Sequence, residues 1–208
     1  MRICSVDEEG RYGGPEKRII EIADSLKKHD IKTHVLYPKL DSVRFSIEIK
    51  KLDIESTPIF LTRLSKEKKI FFRYILFFFY EIFLLYNFFY KQNFDLVQVN
   101  GSQQFKGAIA AKLAKTPIIW VLEDTMMDKT VKKICRHLIH HLASGIIVVA
   151  SRVYDYYISG TELRKKPYLV IPAHVDTKVF DPNKVPVLNN LNFKGKTIIT
   201  TVAGINPT

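Results

Sequence analysis

Cysteine is scarce in this sequence, and the scarcity limits the classes of protein to which the chain can belong. Only Cys4 and Cys135 occur among 208 residues, and they lie far apart. They form neither a metal-ligand spacing nor the framework of a small disulfide-rich secreted domain, which favours a reducing compartment. The N-terminus also lacks a long apolar run followed by small residues. With no secretory signal visible, we predict a cytoplasmic protein.

Signatures of nucleic-acid binding are missing as well. The sequence contains no zinc-finger spacing and nothing that resembles the ribonucleoprotein motif, so we predict no nucleic-acid partner. The chain is nevertheless basic, with 32 lysines and arginines against 21 aspartates and glutamates and a formal net charge of +11. A charge of this size favours an anionic partner. Phosphorylated ligands and anionic membrane surfaces are the remaining candidates.

Short apolar segments alternate with segments of helical periodicity along most of the chain. Strands are predicted at 2–6, 32–37, 96–99, 116–122 and 145–150, and helices near 15–28, 65–91, 105–114 and 130–143. This alternation is typical of an α/β fold with a Rossmann-like parallel sheet and helices on both faces. In such sheets, ligands bind beyond the carboxyl ends of the strands.

Two stretches depart from this alternation. Residues 41–60 have no clear pattern, and we expect irregular structure there with a strand near 47–52. Residues 181–196 are rich in proline, asparagine and lysine, as connectors are, and 197–203 is again apolar and β-branched. We therefore predict one domain over residues 1–180, an interdomain linker over 181–196, and over 197–208 the first strand of a second domain that is otherwise missing.

Gly13 and Gly14 stand between the first strand and the first helix. Without side chains, they allow backbone N–H groups to approach a phosphate at the positive end of the helix, although glycines are also ordinary turn residues. They do not complete a GxGxxG motif, and the second strand ends at Tyr37 and Pro38 instead of an acidic residue. The fingerprint of a nicotinamide-dependent dehydrogenase, the enzymatic alternative on fold grounds, is therefore incomplete.

Four stretches, in order, resemble family 4 glycosyltransferases, which are retaining enzymes with the two-Rossmann-domain GT-B fold. They are GGPEKRIIEIADSLKKHDIKTHVLYP at 13–38, FDLVQVNG at 94–101, SGIIVVASR at 144–152 and VIPAHVDTKVFDP at 170–182. The final segment, TIITTVAGINPT at 197–208, is similar to the opening of the family's second domain. The resemblance implies one half of a GT-B fold, in a chain that stops as the donor-binding half begins.

What the resemblance implies about function is an acceptor-side domain. A nucleotide-sugar would be the co-substrate, no other cofactor is expected, and the sugar would pass to a glycan or a lipid-linked acceptor in polysaccharide or glycolipid biosynthesis. Gly13 and Gly14 would face the donor phosphates and the acceptor. The predicted acceptor or sugar cleft contains polar residues that follow two strands: Asn100, Gly101, Ser102, Glu123 and Asp124.

Several alternatives remain open beside this interpretation. The family commonly has histidine at the positions aligned with Asn100 and Glu123, so no catalytic residue is assigned. Glu123 and Asp124 could equally form an acidic turn that caps the next helix. The chain, inactive alone, could also be a membrane-associated subunit that recruits a separate donor-binding chain. His137, His140 and His141 lie on the polar side of a helix near its end, which favours a dipole interaction over a metal site.

The segment from Ile70 to Tyr90 is strongly aromatic and about long enough to span a bilayer. Arg73, Glu81 and Asn87 interrupt it, which disfavours a spanning helix. On a helical wheel the polar residues form a stripe roughly 120° wide. The members of this stripe are Lys66, Lys69, Arg73, Tyr80, Glu81, Asn87 and Lys91.

A narrow polar stripe fits two environments. The helix could pack on the sheet with only its stripe in water, or it could dock at a membrane interface, and the two are compatible. Because family 4 enzymes often act on lipid-linked acceptors, we expect peripheral association with the inner face of an anionic membrane. The predicted membrane face consists of Arg63, Lys66, Lys69, Phe77, Phe78 and Phe88.

Overall fold

The structure, a computed structural model, describes residues 1–175 together with residues 177, 181, 197 and 199. The chain divides into two compact units, Met1–Ala173 and His174–Thr208. Nearly all of the predicted linker at 181–196 and of the predicted strand at 197–208 lies outside the described residues. The elements that follow belong to the first unit.

Seven parallel strands form one sheet in the order β3-β2-β1-β4-β5-β6-β7. The strands are β1 Arg2–Val6, β2 Lys32–Pro38, β3 Glu55–Ile59, β4 Leu96–Asn100, β5 Ile118–Leu122, β6 Gly145–Val148 and β7 Tyr168–Val170. The helices are α1 Gly14–Lys27, α2 Val43–Lys51, α3 Lys68–Gln92, α4 Phe105–Leu113, α5 Lys129–Leu142 and α6 Ser151–Tyr157, with a 3₁₀ turn at Glu162–Lys165. This architecture confirms the predicted Rossmann-like α/β fold.

The order of the strands reverses at β1. The chain builds outward from β1 through β2 to β3, and then returns so that β4 pairs with the other side of β1, with Ile3 opposite both Thr33 and Leu96. Such a reversal opens a crevice beyond the carboxyl ends of the two central strands, here β1 and β4. The fold therefore fixes where a ligand site is expected.

Side chains that alternate along the strands supply two hydrophobic cores, one on each face of the sheet. In β2, Leu36 packs into a core with α3, α4 and α5, whereas Val35 and Tyr37 pack into a second core with α1 and α2. Neighbouring strand residues point to opposite faces, so one strand serves both cores. Burial of each large side chain contributes about 1.5–3 kcal/mol.

The prediction for residues 41–60 was wrong. The stretch contains α2 and the edge strand β3 instead of irregular chain with a strand near 47–52. From Val43 to Ile49 apolar and polar residues alternate, which mimics a strand, yet the segment is helical and buries Phe45 and Ile49 under Tyr37. Phe45 and Ile49 are four residues apart and share a helix face, so tertiary packing prevailed over the local alternation.

The long helix α3 was predicted correctly, but one member of its polar stripe was not. Glu81 is fully buried instead of facing water. Its carboxylate pairs with the ammonium group of Lys106 at the start of α4 and also accepts a hydrogen bond from the backbone N–H of Thr62, at 3.0 Å. Lys106 is completely buried and forms a second ion pair, at 3.2 Å, with Glu8. A charged cluster therefore joins α3, α4 and the loop after β1.

The opposite face of α3 is apolar and open to solvent. Phe72, Leu76, Phe79 and Phe83 are 59–80% exposed and lie within about 60° of one another on a helical wheel. Judged by length and composition alone, α3 could cross a membrane. Its other face, which includes Leu85 and Phe89, is nevertheless part of the core of the sheet.

Candidate functional site

A cleft of about 360 Å³ lies beyond the carboxyl ends of β1, β4 and β5. The fold brings together there all five residues predicted for the acceptor or sugar cleft: Asn100, Gly101, Ser102, Glu123 and Asp124. Pro15 and Glu16 of the first turn of α1 form another part of the wall, next to Gly13 and Gly14. The five predicted cleft residues therefore share one cavity at the point where the strand order reverses, and Gly13 and Gly14 are not part of its lining.

Gly13 and Gly14 are both solvent-exposed at the N-terminus of α1. The backbone N–H of Gly13 donates to Oε2 of Glu16, at 2.6 Å, so an anion that reached this amide would have to replace the carboxylate. Gly14 differs, because a β-carbon added there would meet no atom within 4 Å. Gly14 thus offers open space at the positive end of a helix.

Asn100 has a structural role at the mouth of the cleft. Its side-chain nitrogen donates to the Ser5 hydroxyl, at 2.8 Å, and to the carbonyl of Val6, at 3.0 Å, while its side-chain oxygen accepts from Gln98. The residue is buried, so this amide fastens the ends of β1 and β4 to each other. It positions the cleft, and its hydrogen-bonding groups are engaged by the protein itself.

The carboxylate of Asp124 accepts hydrogen bonds from two side-chain hydroxyl groups. Ser102 donates to Oδ2 at 2.6 Å and Tyr157 donates to Oδ1 at 3.3 Å. Below them, the thiol of Cys135 donates to the carbonyl of Ser102, and burial raises the pKa of this thiol to about 12. A thiol with so high a pKa is a packing group and not a nucleophile.

Glu123 has a partner that sequence reasoning missed. Arg18 of α1 donates to its carboxylate at 3.1 Å and also reaches the carbonyl of Ile171. Burial raises the pKa of Glu123, and the nearby guanidinium offsets part of that rise. The alternative role of residues 123–124 as a helix cap does not hold, since Asp128 caps α5 by accepting from the backbone N–H of Thr130.

Asp7, the first residue after β1, is the most deeply buried acid in the cleft. The sequence analysis did not identify it. Only 2% of its surface is exposed. Oδ1 accepts from the backbone N–H of Glu9, at 2.9 Å, and from the side chain of Gln104, at 3.2 Å. Oδ2 is buried and has no hydrogen-bond partner among the described residues. Burial raises the pKa of Asp7 well above its usual value, and nearby carboxylates such as Glu16 raise it further.

The cleft has the opposite charge to the chain as a whole. Its lining includes five carboxylates, and among the described residues no lysine or arginine lines it, although the chain carries a formal charge of +11. The five are Asp7, Glu9, Glu16, Glu123 and Asp124. A site of this kind is suited to ligands that bring O–H or N–H donors.

The raised pKa of Asp7 leads to a prediction about stability and pH. A carboxyl whose pKa is higher in the folded than in the unfolded state binds its proton more tightly when the protein is folded. Its contribution to the free energy of unfolding therefore falls as the pH rises from about 4 through the folded pKa. We expect Asp7→Asn to be more stable than wild type near pH 8 and to have a flatter pH profile. Urea unfolding between pH 4 and 8 measures this, with exposed Asp155→Asn as control. If the stability of Asp7→Asn depended on pH in the same way as that of wild type, the raised pKa of Asp7 would be wrong.

The three histidines cluster at the exposed end of α5. The ring centroids of His137 and His141 lie 4.4 Å apart, and those of His140 and His141 lie 4.8 Å apart. Partial desolvation lowers the pKa of His141, and the two neighbouring rings and Lys166 lower it further. Throughout residues 1–175 and the few described beyond them, no group of three or more acidic, histidine or cysteine side chains is arranged to hold a metal ion.

The residues of the predicted membrane face lie in two different environments. Lys66 and Lys69 are exposed, and Arg63 is half-buried near Glu9 and Glu67. The three aromatic members are half-buried as well. Phe78 and Phe88 pack against the main core, and Phe77 packs edge-on against Phe60. The exposed apolar surface of α3 instead includes Phe72, Leu76, Phe79 and Phe83, which share one side of the helix and which we call the outer face of α3.

Solved structures share this fold at low sequence identity. HepE of Anabaena, in complex with UDP-glucose, has a TM-score of 0.66 and 19% identity, with 86% of this chain and 46% of that chain covered. A glycosyltransferase from Rickettsia africae has a TM-score of 0.64 and 18% identity, with coverages of 89% and 46%. MnaA of S. aureus, in complex with UDP, has a TM-score of 0.58 and 18% identity, with coverages of 81% and 43%.

The chain thus spans less than half the length of these structures. Their likeness shows a Rossmann-like domain that corresponds to one half of a GT-B-type fold. No curated protein sequence matches it significantly. The sequence model of Glycosyltransferase Family 4, however, matches residues 12–179, which include most of the sheet and every residue of the cleft except those of the loop after β1. The chain belongs to Glycosyltransferase Family 4.

Proposed function

We propose that this chain is the acceptor-side domain of a retaining glycosyltransferase that moves a sugar from a nucleotide-sugar to a glycan or a lipid-linked acceptor. The observation that carries the proposal is the cleft at the reversal of strand order, lined by hydrogen-bond acceptors from three strand ends and from α1. Sugar hydroxyl groups are donors that match such a lining. The UDP-glucose bound to HepE supports a nucleotide-sugar as the donor.

The charge of the cleft bears on which part of the protein holds the nucleotide-sugar donor. Five carboxylates line it and Glu16 occupies the amide of Gly13, so a nucleotide diphosphate would be repelled from most of this surface. The positive end of α1 at Gly14 is the point where a phosphate could approach. We infer that the donor is held mainly by protein outside the described residues and that the chain is inactive alone. Gly14 would then help to stabilise the negative charge that grows on the leaving group.

Gly14→Ala tests this role. The added methyl group meets no protein atom within 4 Å, so stability should be unchanged or higher by about 0.4–1 kcal/mol. Transfer from UDP-glucose by the complete enzyme should fall roughly 10- to 100-fold, because the methyl group displaces the phosphate. Release of UDP measures transfer, and urea unfolding measures stability.

Gly10→Ala is the contrasting variant for this experiment. Its β-carbon would lie 2.5 Å from the carbonyl oxygen of Leu40, so Gly10 is required by the fold itself and its replacement should lower stability. If Gly14→Ala were as stable as wild type and transferred sugar at the wild-type rate, the proposed approach of the donor phosphates at Gly14 would be wrong.

Two alternative functions can be separated from this proposal. For a subunit that recruits a separate donor-binding chain, a neighbouring gene would encode the donor domain, whereas a continuous reading frame after Thr208 would favour a single-chain enzyme. For a dehydrogenase, NAD would bind in preference to UDP-sugars in a titration of the purified protein. Family membership and the end of β2 at Tyr37 and Pro38, without an acidic residue, favour the glycosyltransferase.

Peripheral association with a membrane is the second part of the proposal. A groove of about 720 Å³ adjoins the cleft, and Gln103 and Met126 line both cavities. Its apolar lining includes Leu64, Phe71 and Val131, and its basic lining is Arg63, Lys66 and Lys68. An acceptor with a lipid chain could lie along this groove toward the outer face of α3, where the bilayer would lie. Lysines at the start of the helix would meet anionic headgroups.

A further inference from the structure

We propose that the groove beside the cleft binds the lipid phosphate of an acceptor whose sugar is attached to the lipid through that phosphate. The inference rests on the proposed function, and it narrows the acceptor from a glycan or a lipid-linked sugar to a sugar linked to a lipid by phosphate. The phosphate is assigned to the three basic residues of the groove, Arg63, Lys66 and Lys68, and the first part of the lipid chain to its apolar wall.

The apolar wall of the groove points to a ligand with a chain. The volume of about 720 Å³ lies in the range of about 300–1,000 Å³ that is usual for small-molecule sites. Leu64, Phe71 and Val131 supply apolar surface, and Phe71 is 48% exposed although it is a large aromatic side chain. A free sugar phosphate would leave this surface in water, whereas an alkyl chain would cover it.

The cations of the groove point to an anionic group on the same ligand. Lys66 and Lys68 are exposed, and among the described residues neither forms an ion pair. The two carboxylates of the groove are engaged elsewhere, since Glu67 lies 3.7 Å from Arg63 and Asp128 caps α5. A phosphate brings acceptors for both ammonium groups, and a neutral glycolipid brings none of comparable strength.

Arg63 lies at the junction of the groove and the cleft. Its guanidinium group is 3.9 Å from the carboxylate of Glu9, which lines the cleft, and 3.7 Å from that of Glu67, which lines the groove. Both distances exceed those of hydrogen bonds, and Glu9 has a closer partner in Arg11, at 2.8 Å. The guanidinium group can therefore bind a phosphate in its planar fork without leaving Glu9 unpaired.

The charges of the two cavities set the order of the parts of the ligand. Gln103 and Met126 line both cavities, so the acceptor can extend from one into the other at these residues. The carboxylates of the cleft repel a phosphate and the cations of the groove attract it, which places the sugar in the cleft and the phosphate in the groove. The chain then passes Phe71, which is adjacent in sequence to Phe72 of the outer face of α3.

Titration of the ¹⁵N-labelled chain with octyl phosphate tests the inference without requiring sugar transfer or a membrane. The comparison ligands are 1-octanol, which lacks the phosphate, and inorganic phosphate, which lacks the chain. All are used below the concentration at which octyl phosphate forms micelles. The backbone amide signals of Ser65, Gln103 and Met126 report on the groove. Octyl phosphate should bind at least about tenfold more tightly than either comparison ligand, because it alone meets both linings.

The variant Lys66→Gln, Lys68→Gln should bind octyl phosphate roughly five- to tenfold more weakly than wild type, with its binding of 1-octanol unchanged. Its matched control, Lys50→Gln, Lys112→Gln, removes the same charge from exposed positions on α2 and α4 outside the groove and should bind like wild type. A second comparison separates the groove from the docking of α3 on a bilayer. Three outer-face residues that do not line the groove are replaced in it, and this variant should also bind octyl phosphate like wild type: Phe72→Ser, Leu76→Ser, Phe79→Ser.

The inference is overturned if octyl phosphate leaves the three signals unchanged, or if 1-octanol or inorganic phosphate binds as tightly. It is also overturned if the lysine variant binds like wild type, or if the outer-face variant loses as much binding as the lysine variant. A complete enzyme that transfers sugar to soluble neutral glycans while the titration fails would leave the proposed function standing without the inference. Failure of the complete enzyme to transfer any sugar would instead overturn the proposed function.

Discussion

Replacement of Lys106 by methionine should lower the free energy of unfolding by about 3–5 kcal/mol. Methionine fills a similar volume but leaves two carboxylates, Glu81 and Glu8, without their shared cation. Both are buried, and Glu81 is as inaccessible as Lys106 itself. The loss of stability therefore comes from uncompensated negative charge and not from a cavity. Urea unfolding at neutral pH measures it.

Lys112→Met is the matched control for Lys106→Met. Lys112 lies on the same helix, α4, but is exposed, so its replacement should change stability by less than about 0.5 kcal/mol. The double variant Lys106→Met, Glu81→Leu should recover part of the loss, because it removes one of the two stranded charges. If Lys106→Met were no less stable than Lys112→Met, the buried cluster would not hold α3 and α4 together.

The cluster also bears on function, since it ties the aromatic helix to the loop that carries Asp7. Glu8 follows Asp7 directly, and its carboxylate both pairs with Lys106 and accepts from the backbone N–H of Gly107, at 3.3 Å. Burial raises the pKa of Glu8, and the ammonium group of Lys106 opposes the rise. One continuous set of polar contacts therefore runs from α3 to the floor of the cleft.

The elements that sequence alone predicted are those with a clear local period. The strands around the centre of the sheet are apolar runs bounded by turns, and α3 is a long segment without a breaker, so their identities follow from the chain itself. The cleft residues after β4 and β5 were predictable for a related reason. In a parallel sheet, the carboxyl ends of neighbouring strands share one edge, so polar residues at these positions meet.

The ion pairs that the sequence could not reveal join residues that lie far apart along the chain. Arg18 and Glu123 are 105 positions apart, and Lys106 and Glu81 are 25 positions apart. A lone glutamate in an aromatic helix and a lone lysine at the start of an apolar one were the available signals for the second pair. Considered singly, Glu81 and Lys106 could each equally well belong to a solvent-exposed polar face of a helix. Only the packing of α3 against α4 turns two isolated charges into one buried pair.

Asp7 was overlooked for a different reason. It begins the acidic run DEE at 7–9, and such a run usually lies in water, yet Asp7 and Glu8 are both buried. Their burial follows from their place directly after β1, where Gln104 and the start of α4 contact them. A position directly after the central strand of a doubly wound sheet is therefore a better indicator of a site residue than local composition.

The outer face of α3 gives the second large prediction, which concerns membrane binding. We expect the triple variant Phe72→Ser, Leu76→Ser, Phe79→Ser to bind anionic vesicles roughly 100-fold more weakly than wild type. Insertion of a large apolar side chain contributes up to about 1.5–3 kcal/mol, and three side chains that are 63–80% exposed should together exceed the roughly 3 kcal/mol that this factor requires. Co-sedimentation with vesicles of phosphatidylglycerol and phosphatidylcholine measures the change.

These three residues are chosen because they are exposed, whereas Phe78 and Phe88 pack against the core and their replacement would disturb the fold. A control variant with the same number of exposed apolar residues replaced on other elements, Val43→Ser, Leu113→Ser and Leu169→Ser, should sediment like wild type. Lys68 and Lys69 lie beside the outer face of α3, so wild-type binding should also weaken with added salt and on vesicles of phosphatidylcholine alone. If the α3 variant keeps its fold and sediments like wild type, the outer face does not dock on a bilayer.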